Sequence, residues 1–229
     1  MDRPAKILKT LKQTKRILIP LHINVDGDSA GSALALYHLL KSWGKEPEVV
    51  TADPPPENLF FLPEANKIRE VDPTNLDLTQ YDLLVILDNT TLSRFSRQKG
   101  FKAPPQLTIV NIDHHPTNEI FADINYVTTQ VSSTAEILYD LIKGWKSKIN
   151  KAIALCLLTG IFTDTEGFRN KLTTPESMEK AAALIRLGAD HPKLINNILR
   201  NWPPAAIALW EKVLENLKIR KYLAYSTLT

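Results

Sequence analysis

The chain has 229 residues, 44% of them apolar, and a formal net charge of only +3. That is enough apolar material for one large domain with a sizeable core, and too little charge to demand a nucleic-acid partner on bulk electrostatics alone. The lone Cys156, set in the apolar run Ala152–Leu158, excludes an internal disulfide and a thiolate metal cluster within the chain. No apolar run approaches the roughly 18 residues of a membrane span. Lys6, Lys9, Lys12 and Lys15 lead into no signal-peptide core, so no membrane partner and a cytoplasmic location are expected.

Residues 4–14 set lysines against Ile7, Leu8 and Leu11, which predicts a short amphipathic helix with a solvated basic face. Arg16–Leu21 is short, apolar and rich in branched residues, a buried strand that ends on His22-Ile23-Asn24-Val25-Asp26-Gly27-Asp28-Ser29. A helix from Ala30 to Trp43 is stopped by Gly44. Glu48–Thr51 is a second strand and Asp53-Pro54-Pro55-Pro56 a loop, with minor elements at Leu59–Leu62 and Ile68–Val71. Leu83–Leu87, ending on Asp88, and Leu107–Ile112, ending on Asp113-His114-His115, are two further buried strands. Helices are predicted at Ala135–Ile142, capped by Ser132-Ser133-Thr134, at about 150–162, and at Pro175–Leu187. Others follow at Pro192–Leu199 and Pro203–Leu217, before a strand-like segment from Lys221 to Thr229.

Continuously apolar strands separated by helical segments predict an α/β fold, a parallel sheet flanked by helices. We expect a catalytic domain over 1–190, a helical linker over 191–220 and the start of a carboxy-terminal domain over 221–229, truncated or naturally missing. In such sheets the active site lies just past the carboxyl ends of the strands. Four segments place polar residues there that a core would not choose: His22 with Asp26 and Asp28, Asp88, Asp113-His114-His115, and Asp164 at the end of a long apolar helix. Carboxylates with a few imidazoles and no thiolate favour Mn²⁺, with Mg²⁺ as the alternative. Two such ions about 3.5–4 Å apart would suit in-line attack on phosphorus. Ser132 and Ser133 are helix-capping residues whose turn could also meet a phosphate, and Arg169 could contact a phosphate oxygen. His38 and His191 read as structural, and Trp202 and Trp210 as core or interdomain contacts.

The order His22-x-x-x-Asp26-x-Asp28, Asp88-Asn89-Thr90, Asp113-His114-His115 and Thr163-Asp164-Thr165 resembles the DHH phosphoesterase superfamily across nearly the whole chain. Gly167-Phe168-Arg169 and Thr173-Thr174-Pro175-Glu176 are most similar to the oligoribonuclease and pAp-phosphatase branch. The resemblance implies two Mn²⁺ ions, one held by His22 and Asp26, the other by Asp28, His114 and Asp164, with Asp88 bridging both. It further implies that His115 meets the substrate and that Asp113 orients the imidazoles. The implied substrate is a short single-stranded oligonucleotide or a nucleotide bisphosphate, and a homodimer is an allowed assembly. Pyrophosphatase, exopolyphosphatase, single-strand exonuclease and cyclic-dinucleotide phosphodiesterase activities share this cluster; a nucleotide-binding scaffold is the non-enzymatic alternative. The chain departs from the pattern at Val25, where many members carry proline, and in having no Gly-Gly-Gly-His segment.

Overall fold

The computed structural model describes residues 2–98, 100–200 and 204–227. Trp202, the first residue of the helix predicted from Pro203, and the last two residues of the predicted terminal strand lie outside them. The elements, in order, are α1 (Arg3–Gln13), β1 (Arg16–Pro20), α2 (Gly27–Ser42), β2 (Glu46–Thr51), β3 (Arg69–Glu70), β4 (Leu83–Leu87) and β5 (Thr108–Asp113). β6 (Ile124–Val127), α3 (Thr134–Gly144), α4 (Lys151–Asp164), α5 (Pro175–Arg186), α6 (His191–Ile195), α7 (Pro204–Glu215), β7 (Lys218–Arg220) and β8 (Leu223–Tyr225) complete the chain.

Among the described residues β1 to β6 form one parallel sheet in the order β3-β2-β1-β4-β5-β6. The predicted parallel α/β architecture is therefore the observed one. Alternation along the strands divides the core. Ile17 and Ile19, Leu83, Val85 and Leu87, and Val110 and Ile112 share one core cluster with apolar residues of α1 to α5. Leu18, Leu84, Ile86 and Ile109 face the other way and are covered by Leu78, Phe95 and Leu107 from connecting segments. Both faces are dry, as continuously apolar strands require, but among the described residues α-helices cover only one of them; the other meets loops and the short 3-10 turn Leu78–Gln80.

Three differences from the sequence reading have local causes. α2 begins at Gly27, because the Asp26 side chain accepts from Ser29 N–H and caps it; Asp28 is thus a first-turn helical residue. β6 went unpredicted: it is four residues long, carries polar Asn125, and pairs along one edge only. The terminal segment forms the exposed antiparallel hairpin β7–β8, starting three residues before Lys221. Trp210 on α7 is 52% exposed, so it does not join the core. His38 is structural, its Nε2 lying 3.2 Å from the Pro63 carbonyl oxygen.

α4 is apolar on all sides and buried along most of its length, and it crosses α2 closely. A Cβ at Gly31 would lie 2.5 Å from the Cys156 carbonyl oxygen, and one at Gly160 would lie 2.4 Å from Asp28 Oδ1 and 2.5 Å from Ala135 Cβ. Only glycine fits this approach, and it brings the end of α4, with Asp164, beside the start of α2.

Candidate metal centre

β1 and β4 are neighbours whose chains leave in opposite directions across the sheet, so a crevice opens above their carboxyl ends. His22 follows β1 and is almost fully buried. Its Nδ1 sits 2.8 Å from the Ile23 carbonyl oxygen, to which it can only donate, and this leaves Nε2 directed at the carboxylates. That Nε2 lies 3.4 Å from both Asp26 Oδ2 and Asp88 Oδ2. Asp88 leaves β4 with its N–H on the Ile112 carbonyl, next to Asp113 at the end of β5. It adopts φ +55°, a conformation that aspartate tolerates better than most residues.

Asp88 Oδ1 faces the second half of the cluster, 3.4 Å from His114 Nε2 and 3.5 Å from His115 Nδ1. His114 Nε2 is also 3.2 Å from Asp164 Oδ2. Asp28 is fully buried and accepts the N–H groups of Thr134, at 2.6 Å, and Ala135, at 2.9 Å, while the Thr134 hydroxyl donates to Asp88 Oδ1 at 3.3 Å. The acids and imidazoles thus fall into three groups whose ligand atoms lie within 4.8 Å of one another. One is His22, Asp26 and Asp88; another is Asp28, His114 and Asp164; the third joins Asp88 to Asp113, His114 and His115.

Asp113 is completely buried and fully engaged. Its Oδ1 accepts from His114 N–H and His115 Nδ1, both at 2.8 Å, and its Oδ2 accepts from Asn118 Nδ2 at 2.7 Å. His115 is about one-third exposed, and with Nδ1 committed to Asp113 its Nε2 is the nitrogen left for another partner. The remaining sequence candidates sit differently. Ser132 and Ser133 are fully buried; Ser132 Oγ donates to Glu136 Oε2, and Ser133 Oγ accepts Glu136 N–H. Both hydroxyls thus bond to Glu136 at the start of α3, and the N–H groups of Thr134 and Ala135 bond to Asp28. Arg169 is exposed, with Nε on the Glu166 carbonyl, and its guanidinium touches no carboxylate of the cluster. Asn118 was missed by sequence reasoning, although it stands only three residues after His115, and Thr134 was read only as part of the helix cap.

The electrostatics explain why these groups fit a cation. Burial opposes charge on His22, but Asp26 and Asp88 outweigh it and raise its pKa to about 10. His114 rises to about 11, with burial again opposing and Asp164 and Asp88 prevailing. Burial pushes Asp88 upward, yet the His114 and His22 imidazoles hold it well below the usual carboxylate range. Asp28 is driven upward by burial and then by repulsion from Asp164 and Asp88. Asp164 rises to about 6, burial first, with His114 opposing and Asp88 adding repulsion. His22 Nε2 and His114 Nε2 are buried without a hydrogen-bond partner. Crowded carboxylates and two buried imidazole nitrogens whose protons a cation can displace are a donor set suited to divalent cations.

The sequence pattern of the DHH family, N-terminal domain, matches residues 16–161. The chain belongs to the DHH family. It is 37% identical over 213 residues to the bifunctional oligoribonuclease and PAP phosphatase NrnA of Thermus thermophilus, covering 93% of this chain and 62% of that one. The Bacillus subtilis protein of the same name is 25% identical over 198 residues, covering 84% of this chain and 60% of that one. A crystal structure of an exopolyphosphatase-related protein from Bacteroides fragilis matches with a TM-score of 0.88 at 28% identity, covering 96% of this DHH-family chain and 66% of that one. A putative family II inorganic pyrophosphatase from Methanococcus jannaschii shares the fold, with a TM-score of 0.58 at 22% identity over 80% of this chain and 60% of that one. The chain thus spans under two thirds of the length of the two NrnA proteins. Among the described residues no helix is long and apolar enough to cross a membrane.

Proposed function

We propose that this chain carries the metal centre of a phosphoesterase that hydrolyses short single-stranded oligonucleotides, nucleotide bisphosphates such as pAp, or both. The observation that carries the reading is Asp88, whose two oxygens face separate imidazoles, His22 on one side and His114 on the other. The substrate class is supported by the names of the T. thermophilus and B. subtilis relatives. His22 and Asp26 would hold one cation, Asp28, His114 and Asp164 a second, and Asp88 both, with Mn²⁺ favoured over Mg²⁺ by the two imidazoles. Divalent cations bound there would supply acidification of an attacking water and neutralisation of charge on the phosphoryl oxygens.

The protein's own groups do the rest. Asp113 locks the His115 ring through Nδ1, so that Nε2 is available to a phosphate or leaving oxygen, and Asn118 holds Asp113 from the opposite side. The His22 Nδ1 contact with the Ile23 carbonyl does the same for the first ligand ring. We assign the site to residues 1–190 and treat 191–220 as a helical linker, a division supported by the exposed apolar residues Ile207, Leu209, Trp210 and Leu214 on α7. The test is a substrate panel with Mn²⁺. Dinucleotides and pAp should be hydrolysed in preference to pyrophosphate; rapid hydrolysis of pyrophosphate with none of the nucleotides would refute the assignment.

A further inference from the structure

We propose that Lys180 is a positioning residue for the Asp28 carboxylate, acting through Glu136 and the first turn of α3; the inference rests on the metal-centre reading above. Glu136 lies in that first turn and is 1% exposed. A buried carboxylate persists only where donors surround it. One oxygen of Glu136 accepts both Ser132 N–H, at 2.8 Å, and Ser132 Oγ, at 2.7 Å; the other accepts the Lys180 ammonium at 2.9 Å. Lys180 comes from α5 and bonds a second carboxylate on α3, Asp140 Oδ2, at 2.6 Å, so one ammonium spans a full helical turn.

The consequence lies at the other end of the turn. With Ser132 clamped to Glu136 and Ser133 capping Glu136 N–H, the next two N–H groups, those of Thr134 and Ala135, point at the two oxygens of Asp28. The same turn carries the Thr134 hydroxyl to Asp88. Nothing else in this chain of contacts supplies a positive charge, so the ammonium is what makes a buried Glu136 tolerable and fixes where the N–H pair sits. The Lys180–Asp140 branch is more exposed and leads away from the site.

Calorimetric titration of the protein with Mn²⁺ tests this without recourse to turnover. Lys180→Met should weaken one of two Mn²⁺ affinities by on the order of tenfold, the scale of losing a group that orients a ligand. Lys180→Arg should recover most of that loss, and Asp140→Asn should match the parent protein. If Lys180→Met does not fold, Lys180→Gln, which keeps a donor without the charge, should show a smaller loss of the same affinity. A folded Lys180→Met or Lys180→Gln protein with a lowered melting temperature but unchanged Mn²⁺ affinities overturns the proposal and leaves the pair as scaffold. A parent protein that binds no Mn²⁺ overturns the metal-centre reading and this inference together.

Discussion

Replacing Gly160 by alanine isolates how far packing, rather than ligand identity, sets the site. The new Cβ would sit 2.4 Å from Asp28 Oδ1 and 2.5 Å from Ala135 Cβ, both well inside contact, with the Asp28 Cα at 3.3 Å. Neither neighbour is free to yield, since Asp28 is buried and bonded to two N–H groups and Ala135 lies in the first turn of α3. Overpacking of this kind costs about 1–3 kcal/mol. A glycine-to-alanine change inside a helix offsets about 1 kcal/mol of that, so the net destabilisation is about 1 kcal/mol. For a protein of this size that lowers Tm by roughly 2–4 °C. The effect on Mn²⁺ should be disproportionate, because Asp28 must move by more than the ~0.5 Å that a side chain holding a metal tolerates; a loss of at least about tenfold in one affinity is expected. Gly144→Ala, at the end of α3 with nothing within 4 Å of the added carbon, is the control and should be neutral or stabilising. Thermal melts and calorimetry check both. A Gly160→Ala protein with parental Tm and parental Mn²⁺ affinity would refute the claim that the α2–α4 approach places Asp28.

Three further outcomes follow from the same geometry. Asp88→Asn keeps a residue suited to φ +55° and should weaken both Mn²⁺ affinities together in a titration, since each half of the cluster faces one Asp88 oxygen; loss at one site alone would count against bridging. His115→Ala should retain both affinities while kcat falls by roughly 10²-fold or more, the usual scale for a positioned acid–base or binding group; a metal-free variant contradicts the assignment. His22 and His114, with pKa values of about 10 and 11, carry protons at neutral pH that a cation must displace. Mn²⁺ binding should therefore release about two protons near pH 7 and tighten as pH rises; calorimetry in buffers of different ionisation enthalpy measures the release, and a pH-independent affinity would sink the argument.

How much of this was legible beforehand depended on whether the information is local. The strands ending on His22, Asp88 and Asp113 were readable because each is buried on both faces and therefore continuously apolar. The acids and imidazoles just beyond them could be read as converging because parallel strands end on one side of a sheet. Ser132 and Ser133 were recognisable as caps, but the bond from Ser132 to Glu136 was not, since it depends on a buried carboxylate one turn on. The contributions of Thr134 and Ala135 to Asp28 are main-chain N–H groups, about which side-chain identity says nothing. Lys180 and Glu136 are 44 residues apart, with no pattern linking them. Gly160 was a missed signal within reach, a glycine in the interior of a long, largely apolar helix, where it weakens the helix unless close packing requires it.

The start of α3 also bears on how substrate can be held. A helix amino-terminus at the carboxyl edge of a parallel sheet would ordinarily be a ready phosphate site. Here its N–H groups and partial positive charge are directed at Asp28, a protein carboxylate, from 2.6 and 2.9 Å. That favours the ionised form of a group which burial and two neighbouring acids push towards protonation. The helix thus helps keep the Asp28 carboxylate charged. His115, about one-third exposed and with Nδ1 on Asp113, keeps its Nε2 available beside the cluster, and the Arg169 guanidinium bonds the Glu166 carbonyl through Nε alone. With a buried carboxylate held charged inside a cluster of acids and imidazoles, metal affinity, more than any surface charge, is the quantity on which the proposed activity should depend.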